Sequence, residues 1–539
     1  MTTSSDNINA IFGMVLLVAF AAVLSTVLTL WITGDSPGRD RYPGKWVKTF
    51  PDSIHSQNYD MRDLQDIFHL HLTTTGRGSS SSGSDGESNN GARLFLVKQS
   101  DPYNTSLIEV LDYNTTTDMT TATATSSRSN PNHLRNIGEN PWRKTSELQT
   151  GKDIQQRSIR FMVPNSNGSR LAISDAESVS VYQQSSNSNN NNDTTTTTTT
   201  TTTTRWYQVG QTLTKETLSD WIDPTQVYAL GYHAMAISEE GNRLSIAARA
   251  SYDLFTQNKS LLAENSHYII ATFFLEPKNS RWKLDKVQFN FVNLFLMEAA
   301  PVFAQSGNAV AFPRYQPSEN QDEPFNMVVD IYVYKYYEPT TNNASSTQEE
   351  NWVKRDTLIE PKSPTENPPP MTNLGMSPHY TSLSYNGDVC AIGAPNFQQA
   401  RRQYGRVQVY ATTSSGSDSD SGTGSGSKNN DEKYGYPQMG QAFKAGDGVY
   451  LLGSAVSLSR DGNRLALYYT RDGLGRIQAY QYNQEQNKWL PLGNEINDAH
   501  PIRVRANHLS FTGSRIVVAW YCDNHTYRGF CFAIYELQQ

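Results

Sequence analysis

The sequence predicts an all-β protein, a seven-bladed β-propeller that is closed by an N-terminal strand and preceded by one transmembrane helix. Three observations support this prediction. A unit of four predicted strands, the first two joined by a glycine turn, recurs seven times along the 539 residues. Its last copy lacks the fourth strand. An isolated segment near the N-terminus resembles that missing strand. An uncharged apolar segment precedes all of them.

The apolar segment at 11–32 predicts the transmembrane helix. It reads IFGMVLLVAFAAVLSTVLTLWI, 22 residues without a charge, which is long enough to cross a bilayer. A cleaved signal peptide usually begins with basic residues, whereas the short tail at 1–10 contains Asp6 and no Lys or Arg. We therefore expect a retained single-pass anchor, followed by a juxtamembrane linker at 33–43.

Two sets of residues give opposite predictions for the side of the membrane on which the ring lies. Four basic residues between 39 and 48 favour a cytosolic ring under the positive-inside rule. Cys522 and Cys531 bracket a short loop and predict a disulfide, which favours an extracytoplasmic ring. Sequons favour the same side, and we expect the ring at the cell surface or in the lumen of the secretory pathway. The candidate glycosylation sites are Asn104, Asn114, Asn167, Asn192, Asn258, Asn343 and Asn524.

The repeat is clearest between residues 453 and 496. GSAVSLSRDGNRLALYY predicts two strands joined by an Asp-Gly turn, GRIQAYQYN predicts a third strand, and NKWLPLGNEI predicts a fourth. The turn glycine recurs in seven copies, as Gly91, Gly168, Gly241, Gly307, Gly387, Gly462 and Gly513. The fourth strands contain one aromatic residue each, namely Trp142, Trp206, Trp282, Trp352, Tyr436 and Trp489.

The seventh copy ends at FAIYELQQ, without a fourth strand. The segment GKWVKTF (44–50) has its Trp46 where NKWLPLG has Trp489. If it completes the last blade, the sheet has no unpaired edge between the termini. An open array or a sandwich would leave both features unexplained. The predicted ring therefore covers residues 44–539.

Low-complexity inserts interrupt the predicted blades. Their Ser, Thr, Asn and Gly residues bury too little apolar area to offset chain entropy. We interpret them as mobile loops or carriers of O-linked glycans. They lie at 76–91, 114–131, 185–204, 339–351 and 411–433.

Copies five and six resemble the FG-GAP propellers of the integrin α-subunit type. The matching features are Leu452–Gly453, Gly393–Ala394–Pro395 and the third strands GRVQVY and GRIQAY. The resemblance implies a β-propeller with calcium-binding loops. The turn at 460–463 (RDGN) is too short and too poor in carboxylates for such a loop, so we expect no metal. The Ser-x-Asp-Gly-x-x-Leu pattern also resembles WD-repeat and TolB-type propellers.

The candidate chemical motifs have simpler explanations. GDSPG at 34–38 matches the serine-hydrolase elbow, but no strand precedes it. His69 and His71 share one face of a strand but have no neighbouring Cys or carboxylate with which to bind a metal. We expect no catalytic residue and no cofactor. The even spread of the net charge of −7 also argues against a nucleic-acid partner.

The predicted binding face consists of the connections between second and third strands, because the inserts and the anchor occupy the opposite face. These connections are rich in Tyr and Arg, which are typical of binding hot spots. We expect a non-catalytic adhesion or interaction scaffold for a protein or glycan. A membrane-anchored glycosidase-like enzyme and a structural component of the cell surface or wall are the alternatives. The candidate ligand-binding residues are Tyr252, Phe255, Arg314, Tyr315, Phe397, Arg401, Arg402, Tyr404, Tyr527 and Arg528.

Overall fold

The structure is a computed structural model, and the part of the chain that it describes is all-β apart from two short 3-10 turns at Lys215–Leu218 and Pro224–Gln226. The described residues are 44–48, 71–75, 91–99, 106–113, 142–149, 159, 161–175, 177–185, 205–251, 266–290, 301–317, 325–335, 351–359, 380–400, 403–412, 436–497, 504–510, 512–524 and 527–538.

The described strands form seven antiparallel sheets, numbered here in chain order. The first strand, β1, is Lys45–Lys48. Sheet 1 contains β2 (His71–Thr75), β3 (Gly91–Gln99), β4 (Ser106–Tyr113) and β5 (Trp142–Gln149). Sheet 2 contains β6 (Phe161–Pro164), β7 (Arg170–Ser174), β8 (Ser178–Gln184), β9 (Trp206–Gln208) and β10 (Leu213–Thr214). Sheet 3 contains β11 (Val227–Ile237), β12 (Arg243–Ser251), β13 (Ser266–Glu276) and β14 (Arg281–Asn290).

The remaining sheets repeat this order. Sheet 4 contains β15 (Val302–Phe303), β16 (Ala309–Pro317), β17 (Phe325–Lys335) and β18 (Asn351–Ile359). Sheet 5 contains β19 (Thr381–Leu383), β20 (Val389–Ala400), β21 (Gln403–Ala411) and β22 (Phe443–Lys444). Sheet 6 contains β23 (Val449–Tyr450), β24 (Val456–Leu458), β25 (Arg464–Arg471), β26 (Leu474–Asn483) and β27 (Lys488–Asn497). Sheet 7 contains β28 (Val504–Leu509), β29 (Arg515–Asn524) and β30 (Tyr527–Gln538), and β1 pairs with β30.

The inner strands are buried on both faces, because each sheet packs between two others. Successive residues Leu465 to Tyr469 of β25 are all buried, where a sheet with one solvated face would alternate. The side chains of β25 divide between two apolar clusters. Leu465 and Leu467 pack with residues of sheet 5, whereas Ala466 and Tyr468 pack with residues of sheet 7.

The first strands of successive sheets contact one another around the molecule. Contacts run from β2 to β6, β11, β15, β19, β24 and β28 in turn, and β28 contacts β2 again. The last sheet therefore lies beside the first. This cyclic order of contacts places the first-to-second-strand turns near the centre of the molecule, with the fourth strands at its periphery.

Arginines near the central turns join neighbouring sheets. Gly168, Gly241, Gly307, Gly387, Gly462 and Gly513 all have positive φ between 67° and 78°, as the repeated turns require. An arginine at or near the start of the second strand donates a hydrogen bond to a turn carbonyl of the next sheet. These bonds join Arg93 to Gly168 (3.0 Å), Arg170 to Gly241 (2.6 Å), Arg243 to Ser306 (3.1 Å) and Arg464 to Thr512 (3.1 Å).

A second set of contacts joins the fourth strands. Trp282 Nε1 donates to the Val209 carbonyl of the preceding sheet at 3.0 Å, and its backbone N–H donates to the side-chain oxygen Oε1 of Gln211 at 2.8 Å. Gly210, at φ +76°, lies between these two partners. A Cβ there would lie 2.5 Å from the indole, so only glycine fits. The same contact joins sheets 5 and 6. There Trp489 Nε1 donates to the Met439 carbonyl, the Trp489 backbone N–H donates to Gln441 Oε1, and Gly440 lies against the indole.

The same contact recurs where the N-terminal strand meets sheet 6. Trp46 Nε1 donates to the Leu492 carbonyl at 3.0 Å, and its backbone N–H donates to Asn494 Oδ1 at 2.7 Å. Gly493 packs against the indole. Strand β1 pairs antiparallel with β30 in the register Trp46–Leu537, and Trp46 is 4% exposed. The prediction that this strand completes the last sheet is confirmed.

Other sequence predictions fall on residues that the structure does not describe. No helix among the described residues is long and apolar enough to span a membrane, and the predicted span at 11–32 and linker at 33–43 lie outside them. The five inserts also lie outside, apart from a few residues at their ends. Tyr436, predicted in a fourth strand, is buried but precedes the short strand β22.

Candidate functional site

The most distinctive part of the predicted binding face lies where sheets 5 and 6 meet. Three glycines, Gly393, Gly405 and Gly453, bring the backbones of the two sheets together. A Cβ on Gly393 would lie 2.1 Å from the Gly453 carbonyl oxygen, and one on Gly405 would lie 2.4 Å from the Leu452 nitrogen. Two of these glycines belong to the Leu-Gly and Gly-Ala-Pro motifs noted in the sequence. In this protein those motifs therefore serve close packing between sheets.

Two tyrosines stack above this contact. The rings of Tyr404 and Tyr450 have centroids 5.7 Å apart and an interplanar angle of 20°. Their backbones are fixed because Leu452 N–H donates to the Tyr404 carbonyl at 3.3 Å and Thr470 Oγ1 donates to the Tyr450 carbonyl at 3.2 Å. Both rings are half-buried, so each has an accessible edge on a rigid support.

Leu451 follows this aromatic pair and is exposed. Its side chain is 37% exposed, one of four large apolar side chains with such exposure among the described residues. Its φ is +56°, which is unfavourable for a residue with a branched side chain. An exposed leucine in a strained backbone contributes little to folding, so its position suggests a role in binding.

Glu495 lies on the same surface and contacts two arginines and a tyrosine. Its carboxylate accepts a hydrogen bond from the hydroxyl of Tyr469 and lies 3.6 Å from Arg471 and 3.5 Å from Arg476. Burial, followed by the contact with Glu495, raises the pKa of Tyr469 above its usual range. Arg471 lies over the Tyr469 ring at 5.5 Å and is exposed. Tyr404, Tyr450, Leu451 and Arg471 are called the 5–6 patch below.

The sequence-predicted site residues are only partly described. Tyr252, Phe255, Arg401 and Arg402 lie outside the described residues. Tyr404 is the predicted residue that the structure places in the 5–6 patch. The backbone positions of the others are in β16 for Arg314 and Tyr315, in β20 for Phe397, and in β30 for Tyr527 and Arg528.

Sequence reasoning missed Tyr450, Leu451, Arg471 and Glu495. Tyr450 ends the short strand β23 and Leu451 follows it, on the face that also holds the second-to-third-strand connections. The stretch VYLLG, with four apolar residues in succession after a segment that contains Gly446 and Gly448, was the available signal. Glu495 gave no signal in the sequence, because Tyr469, Arg471 and Arg476 come close to it only in the folded protein.

The cysteines and sequons are placed as follows. Cys390 is buried and free, and burial raises the pKa of its thiol. The register of β29 and β30 pairs Cys522 with Gly529 and Cys531 with Trp520, so the two cysteines occupy diagonal positions. Their disulfide stays a prediction. Asn167 is exposed in a turn of sheet 2, and Asn524 ends β29. The other five sequons lie outside the described residues.

The opposite face has a different cluster near its centre. Tyr385 hydroxyl donates to Glu239 Oε2 at 2.7 Å, and Arg460 Nη2 lies 3.1 Å from the same oxygen. The Arg460 guanidinium also lies over the Tyr385 ring at 3.9 Å. These residues come from the turns of sheets 3, 5 and 6, so the cluster links three sheets. Within the described residues, no three His, Cys, Asp or Glu side chains are grouped as a metal site.

No family model matches the chain, and no curated protein matches its sequence. Three solved structures are similar. The C-terminal WD40 domain of Sif2 is 7% identical, with 92% of this chain and 100% of that chain covered and a TM-score of 0.38. Sqt1 of Saccharomyces cerevisiae is 9% identical, with 92% and 88% covered and a TM-score of 0.35. A 6-phosphogluconolactonase-like protein of Bacteroides uniformis is 12% identical, with 76% and 83% covered and a TM-score of 0.34. At these scores the likenesses assign no family to the chain.

Proposed function

We propose that the chain is a seven-bladed β-propeller that acts as a non-catalytic scaffold and binds a protein partner on the 5–6 patch. The propeller is supported by the cyclic contacts of the first strands and by the pairing of β1 with β30. Closure of this kind leaves no unpaired edge between the termini and gives a rigid support for surface loops.

The binding role rests on one observation, the exposed and strained Leu451 beside two stacked tyrosines. Rigid aromatic rings with an adjacent apolar residue and an arginine are the composition of interface hot spots. Glu495 is already engaged by Tyr469, Arg471 and Arg476, so it is poorly placed to exchange protons with a substrate. This arrangement favours binding over catalysis.

The proposal includes a single-pass anchor at 11–32, an extracytoplasmic ring, and blades that are degenerate repeats of the FG-GAP type. The length and lack of charge of that segment support the anchor. The sequons and the Cys522–Cys531 pair support the side. Occupied sequons on the full-length protein, detected by glycosidase-dependent mass shifts, would support this orientation, and uniformly unmodified sequons would contradict it.

Leu451→Gly tests the binding role without an expected loss of fold. Glycine relieves the positive φ, which costs other residues about 1–2 kcal/mol, and it removes the exposed side chain. We expect the variant to be as stable as the wild type or more stable. When the full-length proteins are crosslinked in their native membrane, we expect the wild type but not the variant to capture its partner. Val353→Ala is the matched control, because Val353 is also 37% exposed but lies in sheet 4. Equal crosslinking by both variants would refute the assignment.

A further inference from the structure

A groove between sheets 2 and 3 lies apart from the 5–6 patch. Its volume is about 420 Å³, and it opens on the side of the molecule that contains the first-to-second-strand turns. Its polar lining includes Arg170, Gln183, Tyr207, Gln208, Glu240 and Asn242. These residues belong to two different sheets, so the groove depends on their packing.

Arg170 in this groove lacks the carboxylate that two equivalent arginines have. In sheet 1, Arg93 lies 2.6 Å from Asp112, and in sheet 7, Arg515 lies 2.7 Å from Glu536. Both carboxylates lie directly across from their arginine on the third strand. The residue across from Arg170 is Gln183, which accepts from Nε at 3.0 Å. Sheet 2 therefore has a neutral partner, as sheet 6 has in Gln481, where sheets 1 and 7 have a counter-ion.

The Arg170 guanidinium has capacity left for an anion. Its Nε donates to Gln183 and its Nη1 to the Gly241 carbonyl, which leaves Nη2 without an acceptor among the described residues. Burial lowers the pKa of Arg170, because the charge has lost water without gaining a carboxylate. A ligand carboxylate would provide the missing counter-ion and could accept a charge-assisted hydrogen bond.

The rest of the groove fits a hydroxylated ring. Tyr207 is 49% exposed, so its ring face is open to a ligand. Planar amides and a carboxylate lie around it, and Asn242 Nδ2 donates to Glu240 Oε2 at 2.8 Å, which holds that carboxylate in place. Sugar rings present C–H groups that pack on aromatic faces and hydroxyls that donate to carboxylates and amides. A phosphate ligand fits less well, because Glu240 and Glu276 would repel its higher charge.

We propose that this groove binds an acidic monosaccharide unit, with its carboxylate on Arg170 and its ring on Tyr207. The site is separate from the proposed protein-binding role of the 5–6 patch. A ring of β-sheets with two surfaces of this kind would hold a glycan on one side and a protein on the other.

The experiment uses the purified full-length chain with glucuronic acid and N-acetylneuraminic acid as probes and glucose as the neutral comparison, measured by saturation-transfer NMR and titration calorimetry. We expect an acidic sugar to bind at least tenfold more tightly than glucose. Gln183→Glu should weaken that binding at least tenfold, because it supplies Arg170 with the counter-ion of sheets 1 and 7.

Gln481→Glu is the matched control. Gln481 accepts from Arg464 at 2.8 Å in the equivalent position of sheet 6, so this variant should retain full binding. Tyr207→Ala, at an exposed position, should also weaken binding at least tenfold, and it tests the site should Gln183→Glu fail to fold. Failure of both acidic sugars to bind, equal binding of glucose, or full binding by Tyr207→Ala would overturn the proposal.

Discussion

At the scale of single residues, the glycines between sheets 5 and 6 determine how closely the sheets approach. A Cβ on Gly393 would meet the backbone oxygen of Gly453 at 2.1 Å, and backbone cannot move aside as a flexible side chain can. We expect Gly393→Ala to lower the free energy of unfolding by about 1–3 kcal/mol, the usual cost of overpacking. Gly446→Ala is the control, since nothing lies within 4 Å of its Cβ position. Equal urea midpoints for the two variants would contradict this explanation.

A second prediction for single residues concerns Tyr469 at alkaline pH. Burial, with the contact to Glu495, raises the pKa of Tyr469 in the folded protein, whereas an unfolded tyrosine titrates near about pH 10. A raised folded pKa means that its contribution to stability is complete below pH 10 and is lost as pH rises through the folded value. Urea titrations between pH 8 and pH 11 should therefore show a steeper loss of stability for the wild type than for Tyr469→Phe. Parallel losses would be inconsistent with the buried, neutral phenol.

At the scale of elements, the fourth strands are joined by a repeated tryptophan contact. Trp46 illustrates it, with bonds to Leu492 and Asn494 of sheet 6. We expect Trp46→Ala to cost about 3–5 kcal/mol, as for other buried aromatic residues. Asn494→Ala removes one hydrogen bond and should cost about 1 kcal/mol. The double variant measured by urea unfolding should cost less than the sum, because loss of the indole loosens β1 at the backbone N–H that donates to Asn494. Strict additivity would show that the two residues act separately.

The strand order was predictable from sequence because it depends on local, repeated signals. Turn glycines such as Gly462 recur in similar places, as does a Trp near the start of most fourth strands, so the repeat and the role of GKWVKTF could be read directly. The 5–6 patch was less predictable. Tyr404 lies in β21 of sheet 5, whereas Leu451 follows β23 and Glu495 lies in β27 of sheet 6, and the close packing of Gly393 against Gly453 brings these two sheets together. Asn494 and Gln441 likewise look like ordinary polar residues until the neighbouring sheet is in place.

At the scale of the whole molecule, closure depends on pairing the two ends of the ring. Strand β1 covers β30 over the register Lys45–Gln538 to Lys48–Tyr535, and Trp46 joins the same apolar cluster as Tyr468 and Ile516. Without β1, the hydrogen-bonding edge of β30 would be open to other chains. We therefore expect the N-terminal strand to protect the ring from association as well as to stabilise it.

Replacing residues 45–48 of the full-length chain with Gly-Ser-Gly-Ser tests this closure. The variant should melt at a lower temperature and form oligomers by light scattering, because the edge of β30 becomes a template for pairing. A synthetic peptide spanning residues 43–50, added in trans, should restore the monomer by strand addition. The same peptide with Trp46→Ala should not, because it supplies backbone hydrogen bonds but leaves the indole site in sheet 6 empty. A variant that stays monomeric without peptide, or equal rescue by both peptides, would show that the ring does not depend on this strand for closure.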